Sequence, residues 1–213
     1  MKVKTFLIGV LYLFACGLWI SAAAIDIEKL KKDAESGDAK AQLRLGSAYK
    51  DGHGVMQDYA EAVKWVRKAA DQGDADAQNS LGVMYEVGEC VSQDFQESVK
   101  WYRKAADQGA AMGQNNLAGS YYMGHGVAQD YQEAMKWYRK AADQGDVTAQ
   151  SNLASSYVSG HGVTQDYTEA YAWLTLASRG GSKRRIEARD ALLNKMTPDQ
   201  IAEGQKKAQE RSG

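Results

Sequence analysis

One period governs this chain. Trp65, Trp101, Trp137 and Trp173 stand 36 residues apart, as do Gly37, Gly73, Gly109, Gly145 and Gly181. A fixed spacing of this size marks a stacked array, in which one unit cannot bury its apolar face alone and neighbours share a continuous core. The stretch GHGVAQDYQEAMKWYRKAADQGD, from Gly124 to Asp146, has close counterparts beginning at Gly52, Gly88 and Gly160. Four such copies within 213 residues describe one domain of ordinary size.

Each copy reads as two helices. In the second, Ala77, Leu81 and Tyr85 fall at i, i+4 and i+8 and predict a helix from about Asp74 to Val87. The same stripe is Ala41, Leu45 and Tyr49 in the first copy, Gly113, Leu117 and Tyr121 in the third, and Ala149, Leu153 and Tyr157 in the fourth. The small residue after each leucine (Gly46, Gly82, Ala118, Ala154) leaves room for a close neighbour. The second helix opens with Asp-x-x-Glu at Asp58, Asp94, Asp130 and Asp166, a variant of the capping box in which the glutamate returns to the N-cap amide. Tyr131, Ala134, Trp137, Tyr138 and Ala141 then give an apolar face, and the AADQG run ends the helix on a glycine. Asp38, Asp74 and Asp146 can cap the next first helix, whereas Ala110 cannot. The ends depart from the pattern. A lone helix is expected over 26–36, a charged helix over Lys183 to Asn194, and a last one opened by Thr197-Pro198-Asp199-Gln200. The fold expected is all-α: a right-handed α-solenoid of four 36-residue repeats, about 34–69, 70–105, 106–141 and 142–177, with an N-terminal helix and a C-terminal cap over 178–213.

The first residues read differently. Lys2 and Lys4 precede an uncharged run and the small segment Ser21-Ala22-Ala23-Ala24, the form of a secretory signal peptide cleaved after Ala24. An uncleaved anchor from Phe6 to Ile25 and lipidation at Cys16 are the rival readings. All place the remainder, 25–213, outside the cytoplasm, periplasmic or secreted. Removal of 1–24 leaves 24 basic and 27 acidic residues and Cys90 as the lone cysteine, so no internal disulfide forms. The charge balance gives no pull toward nucleic acid, and membrane contact is expected only if the N-terminal segment is uncleaved or lipidated.

The repeated unit resembles the Sel-one-like repeat family, a branch of the tetratricopeptide-like α-solenoids. Residues 69–106, AADQGDADAQNSLGVMYEVGECVSQDFQESVKWYRKAA, follow that family's pattern almost throughout. The resemblance covers about residues 34–211. It implies a non-catalytic adaptor or scaffold with a protein partner and no cofactor. Exported bacterial members are implicated in envelope complexes and host contact; some are periplasmic immunity proteins that neutralise secreted phospholipase effectors. A cysteine-rich branch has been described as β-lactamase-like.

Several residues invite chemistry. His53, His125 and His161 share one repeat position, but repeat layers lie too far apart for one ion, and two flanking turn glycines make them solvent-facing. Ser47-Ala48-Tyr49-Lys50 spells S-x-x-K, yet its partner motifs are absent. Cys90 replaces Gly54, Gly126 and Gly162 in an exposed loop and is an intermolecular disulfide partner, a reactive thiol or a tolerated substitution. Lys183, Arg184, Arg185 and Arg189 read as a solvated face of the cap.

In tetratricopeptide-like stacks the first helices line the concave face, and the positions that vary between repeats lie opposite the core stripe. The resemblance therefore places partner-binding residues at Lys40, Leu43, Asp76, Asn79, Val83, Val87, Met112, Asn115, Tyr122, Met123, Ser151 and Val158. Val83, Val87, Met112, Tyr122 and Met123 would form an apolar patch suited to a protein partner. Tyr122 and Met123, placed outside the shared core, are expected to matter for binding and little for folding.

Overall fold

The 36-residue period becomes a helical pair in each repeat. A computed structural model describes residues 26–212; the expected signal segment and Cys16 lie outside the described residues. A lone helix α1 (Ile27–Glu35) precedes four antiparallel pairs: α2 (Ala39–Asp51) with α3 (Tyr59–Asp71), α4 (Ala75–Val87) with α5 (Phe95–Asp107), α6 (Ala111–Met123) with α7 (Tyr131–Asp143), and α8 (Val147–Ser159) with α9 (Tyr167–Ala177). Two capping helices follow, α10 (Lys183–Leu193) and α11 (Pro198–Glu210). No strand occurs among the described residues. The chain is an α-solenoid.

Local chemistry sets the helix ends. The Asp38, Asp74 and Asp146 carboxylates accept from the amides of Ala41, Ala77 and Ala149 at 3.0, 2.8 and 2.7 Å, while Ala110 makes no cap bond. At the other end the Gly73 amide donates to Ala70 and the Asp74 amide to Ala69, the two bonds of a Schellman stop, with Gly73 at φ +95°. The capping box expected at the second helices is only half made. Asp58, Asp94, Asp130 and Asp166 do cap their helices. Their own amides, however, donate to the carbonyls of Tyr49, Tyr85, Tyr121 and Tyr157, so no donor is left for the glutamate to return to. Glu97 and Glu133 instead accept from Trp101 and Trp137 Nε1 at 3.0 and 2.9 Å. Among the described residues a complete box forms only at Thr197 and Gln200.

Packing follows the small residues. A Cβ added at Gly46 would lie 2.6 Å from Val66 Cγ2, and one at Gly82 would lie 2.6 Å from the Tyr102 ring, so these positions hold the two helices of a pair in close contact. All four repeat tryptophans are buried. Tyr49, Tyr85, Tyr121 and Tyr157, expected in the core, are only half-buried. Three of their hydroxyls point toward the preceding repeat and accept from Arg67, Arg103 and Arg139, the last at 2.6 Å. Burying a tyrosine ring while its hydroxyl reaches a partner at the edge avoids an unsatisfied polar group.

Candidate functional site

The first helices of successive repeats touch through side-chain amides. Asn116 donates to Asn79 at 2.9 Å, Asn115 to Asn116 at 3.2 Å, and Asn152 to Asn115 at 3.1 Å, a continuous chain across α4, α6 and α8. Beyond it Arg185 Nε of α10 donates to Ser151 Oγ at 3.2 Å. These bonds hold α4, α6 and α8 side by side, and α2 begins the same row of first helices without such a bond.

On that face the variable positions divide in two. Lys40, Asp76, Met112 and the residues seven and eleven places further on fall on one helical stripe and point outward. That stripe is polar in the first repeat (Lys40, Ser47, Asp51) and in the fourth (Thr148, Ser155, Ser159). In the middle, apart from Asp76, it is apolar: Val83, Val87, Met112 and Met123 are exposed at 36%, 64%, 52% and 60%. Four of the eight exposed large apolar side chains of the described residues therefore lie on two adjacent helices.

The other predicted positions turn toward the next repeat. Asn79 is buried, at 7% exposure, within the amide chain. Asn115 and Ser151 are half-buried in the same chain, and Leu43 packs against the core of the second repeat. Lys50 reaches Glu89 at 3.5 Å, and Val158 packs into the C-terminal core; within the second repeat, Glu86 accepts from Tyr102. Burial, with the Glu86 bond added, pushes the Tyr102 hydroxyl far above the usual phenol range. Tyr122 is a correction. Its ring packs against Tyr131 and His161 at centroid distances of 5.0 and 5.7 Å, and its hydroxyl lies 2.7 Å from His161 Nδ1. Tyr122 belongs to the seam between repeats.

Two of the three histidines join those seams. His161 stacks on Tyr131 at 4.7 Å and 14°, and His125 packs on Phe95 at 4.6 Å. His125 is half-buried, so its expected solvent-facing placement is corrected: each of the two rings covers the aromatic residue that opens the preceding second helix. Among the described residues no His, Cys, Asp and Glu group could hold a metal ion, and no helix is long and apolar enough to cross a membrane. Ser47 and Lys50 are not joined: Ser47 Oγ donates to the Leu43 carbonyl at 3.2 Å, and Lys50 pairs with Glu89. Burial and the Glu89 carboxylate push the Cys90 thiol up and disfavour the thiolate, and the opposing pull of Lys50 is smaller.

The Sel1 repeat pattern matches residues 39–74, 75–109, 111–146 and 147–182. The chain belongs to the Sel1 repeat family. Sel1 repeat proteins mediate protein–protein interaction and are generally non-catalytic scaffolds. A Sel1 repeat protein from Oxalobacter formigenes is 33% identical, with a TM-score of 0.71, over 84% of this chain and 75% of that one. The structure of c5321, a protective antigen of uropathogenic Escherichia coli strains, is 42% identical with a TM-score of 0.73, over 76% of this chain and 34% of that one. The secretory immunoglobulin A-binding protein EsiB of Escherichia coli O6:H1 is 46% identical over 43 residues, 20% of this chain and 9% of that protein. The chain thus spans only a small part of EsiB and about a third of c5321. The immunity protein Pa5087 of Pseudomonas aeruginosa shares the fold, with a TM-score of 0.55 at 21% identity.

Two Sel1 repeat glutamines escaped sequence reasoning. Gln42, Gln78, Gln114 and Gln150 are buried and donate to Ala34, Ala70, Ala106 and Ala142 carbonyls. The glutamine of each AADQG run in the first three repeats closes on them: Gln72, Gln108 and Gln144 donate to Gln42, Gln78 and Gln114 at 2.6, 2.7 and 2.8 Å. Gly180 stands where the next donor would be, and Gln150 Oε1 is left buried without a partner. The signal was present in the sequence: a polar residue recurring beside apolar core positions at the full period.

Proposed function

We propose that this chain is a non-catalytic adaptor that binds a protein partner along its inner face and acts in the bacterial periplasm. The observation that carries the reading is the exposed stripe of Val83, Val87, Met112 and Met123 between polar ends. An apolar patch rimmed by polar residues costs solubility unless a partner covers it, and methionine adapts to varied surfaces. The export reading rests on Lys2, Lys4 and the Ser21–Ala24 segment, and N-terminal sequencing of protein recovered from the periplasm checks it. The narrower reading, an immunity protein that blocks a secreted lipase effector, would use the same face; a neighbouring lipase gene and inhibition of its product would support it. The binding experiment is capture of partners from periplasmic extract by the 25–213 protein. Val87→Asp with Met112→Asp is expected to abolish capture while leaving the melting temperature within a degree or two. Undiminished capture would remove this face as the docking surface.

A further inference from the structure

The fourth repeat's share of the inner face is not an open surface. Helix α10 packs on α9 and faces α8, and a half-open cavity of about 760 Å³ lies between them. Val158 and Leu192 supply apolar wall, and Arg184, Arg185 and Lys195 bring three cations to the lining. No aspartate or glutamate lines it. The two acids of α10 are already engaged: Glu187 pairs with Lys183 at 3.7 Å and Asp190 with Arg189 at 2.7 Å. Arg185 donates to Ser151 and Lys195 stands over the Tyr167 ring at 5.4 Å, so both have neutral partners. The cap helix thus sorts its charges, with paired cations directed away and unpaired ones gathered at one cavity. Like charges collected at a semi-enclosed site repel one another and are relieved by an anion. The whole chain carries a net charge of -1, so this concentration is local.

Size decides the kind of anion. A cavity of about 760 Å³ falls within the range of sites that enclose drug-sized ligands, well beyond what an inorganic oxyanion fills. The apolar wall asks for hydrophobic groups beside the charge. Ser155 and Val158 line the cavity and also belong to the variable face that leads to the Met112 and Val87 stripe. We infer that the cavity between α8 and α10 receives an acidic segment of the protein partner, with carboxylates held by Arg184, Arg185 and Lys195 and an interleaved apolar side chain resting on Val158 and Leu192. Arginine suits this role because its planar fork matches a carboxylate. The inference rests on the protein-binding reading above and names the chemistry of the partner at one end of that face.

A short fluorescein-labelled peptide of repeated Glu-Leu-Ser tests it by fluorescence anisotropy at low ionic strength. The peptide should bind the 25–213 protein, and the same peptide with Gln for Glu should bind at least tenfold more weakly. Arg184→Glu, Arg185→Glu and Lys195→Glu together should lose the acidic peptide and gain a Lys-Leu-Ser peptide. That reversal separates a charge effect from misfolding, since an unfolded variant would bind neither in this ordered way. Equal binding of the Gln peptide overturns the inference, and so does complete displacement by millimolar inorganic phosphate, which would make the cavity a small-anion site. The two readings fail separately. If Val87→Asp with Met112→Asp abolishes partner capture while the charge-reversed protein keeps both partner and acidic peptide, the face stands and the cavity assignment falls.

Discussion

Cys90 holds a backbone φ of 69°, in the left-handed region, where a side chain meets the following carbonyl. Its counterparts Gly126 and Gly162 sit so close to the preceding repeat that an added Cβ would lie 2.1 Å from the Phe95 carbonyl oxygen and 2.4 Å from that of Tyr131. A cysteine cannot make that approach. At its seam Tyr59 is left 46% exposed, with Glu89 in place of a histidine. Cys90→Gly is therefore expected to raise unfolding free energy by about 1 kcal/mol, the cost of a left-handed side chain. Gly126→Ala should lower it by about 2 kcal/mol or more, since strain and collision act together. Urea denaturation of both variants decides this, and a less stable Cys90→Gly protein would show that the thiol packs. Tyr122 and Met123 divide in the same way despite being neighbours. Tyr122→Ala removes a ring wedged among Tyr131, Tyr138 and His161 and is expected to cost ~2–4 kcal/mol. Met123→Ala strips an exposed side chain and should stay within about 0.5 kcal/mol.

At the scale of the element, α11 is held by a carboxylate released from another duty. In the second and third repeats this glutamate accepts from its own tryptophan, but Glu169 accepts from Lys207 at 2.9 Å and from Arg211 at 2.8 Å, leaving Trp173 Nε1 without a partner. Burial pushes the Glu169 carboxyl up, yet the bonds from Lys207 and Arg211 outweigh it and hold the group below the usual carboxylate range. A lowered value means that the contribution is complete above the ordinary carboxylate pKa of about 4.3 and is lost as pH falls through the folded value. Glu169→Gln should cost about 2 kcal/mol at neutral pH, and its difference in melting temperature from the parent should shrink below about pH 4. A pH-independent difference would mean that packing, not charge, docks α11. This lock was not legible in the sequence, because Asp166-x-x-Glu169 looks the same as its three counterparts. Helix existence and ends were legible: aspartate caps and glycine stops act within one turn of chain. The returning glutamate of the capping box was misread because the tyrosine carbonyl that takes the N-cap amide belongs to another helix. The stripe of Met112 and Val87 was readable from helical spacing alone. The burial of Asn79 and Tyr122 was not, since it depends on the angle at which one repeat meets the next. Nor could spacing show that Arg184, Arg185 and Lys195 share a cavity, which α10 creates by packing on α9 and facing α8.

Over the whole molecule, the shared core is not uniform. One buried apolar cluster runs without a break from Val99 and Tyr102 in α5 through Trp137 and Trp173 to Leu192 and Ala208 in the cap. The first repeat and α4 are served by two smaller clusters, one around Leu45 and Trp65 and one around Leu81 and Trp101. The polar seams fade in the same direction. The amide chain begins at Asn79, because the first repeat has Leu43 and Arg44 where later repeats have Asn79 and Ser80, Asn115 and Asn116, and Ser151 and Asn152. Histidine–aromatic stacking joins the second repeat to the third and the third to the fourth, but not the first to the second. What ties the first repeat on is the cluster that Val66, Ala69 and Ala70 share with Leu81 and Trp101, the Arg67–Tyr85 bond, the bond from Gln78 to the Ala70 carbonyl and the partly exposed Lys50–Glu89 ion pair. In a linear array stability is a sum of repeat terms and nearest-neighbour seam terms, so the array opens where the seam term is smallest. An exposed ion pair adds little to that term. Helices α1 to α3 should therefore open as a unit before the rest, with amide exchange reporting an opening free energy ~2 kcal/mol or more below that of α6 to α9. The C-terminal end, locked by Glu169 and continuous with the large cluster, should exchange with the slow set. Native-state hydrogen exchange resolved by helix measures this order directly. Simultaneous opening of all eleven described helices, or release of α10 and α11 before α1, would mean that the missing amide and histidine contacts do not make the first seam the weakest.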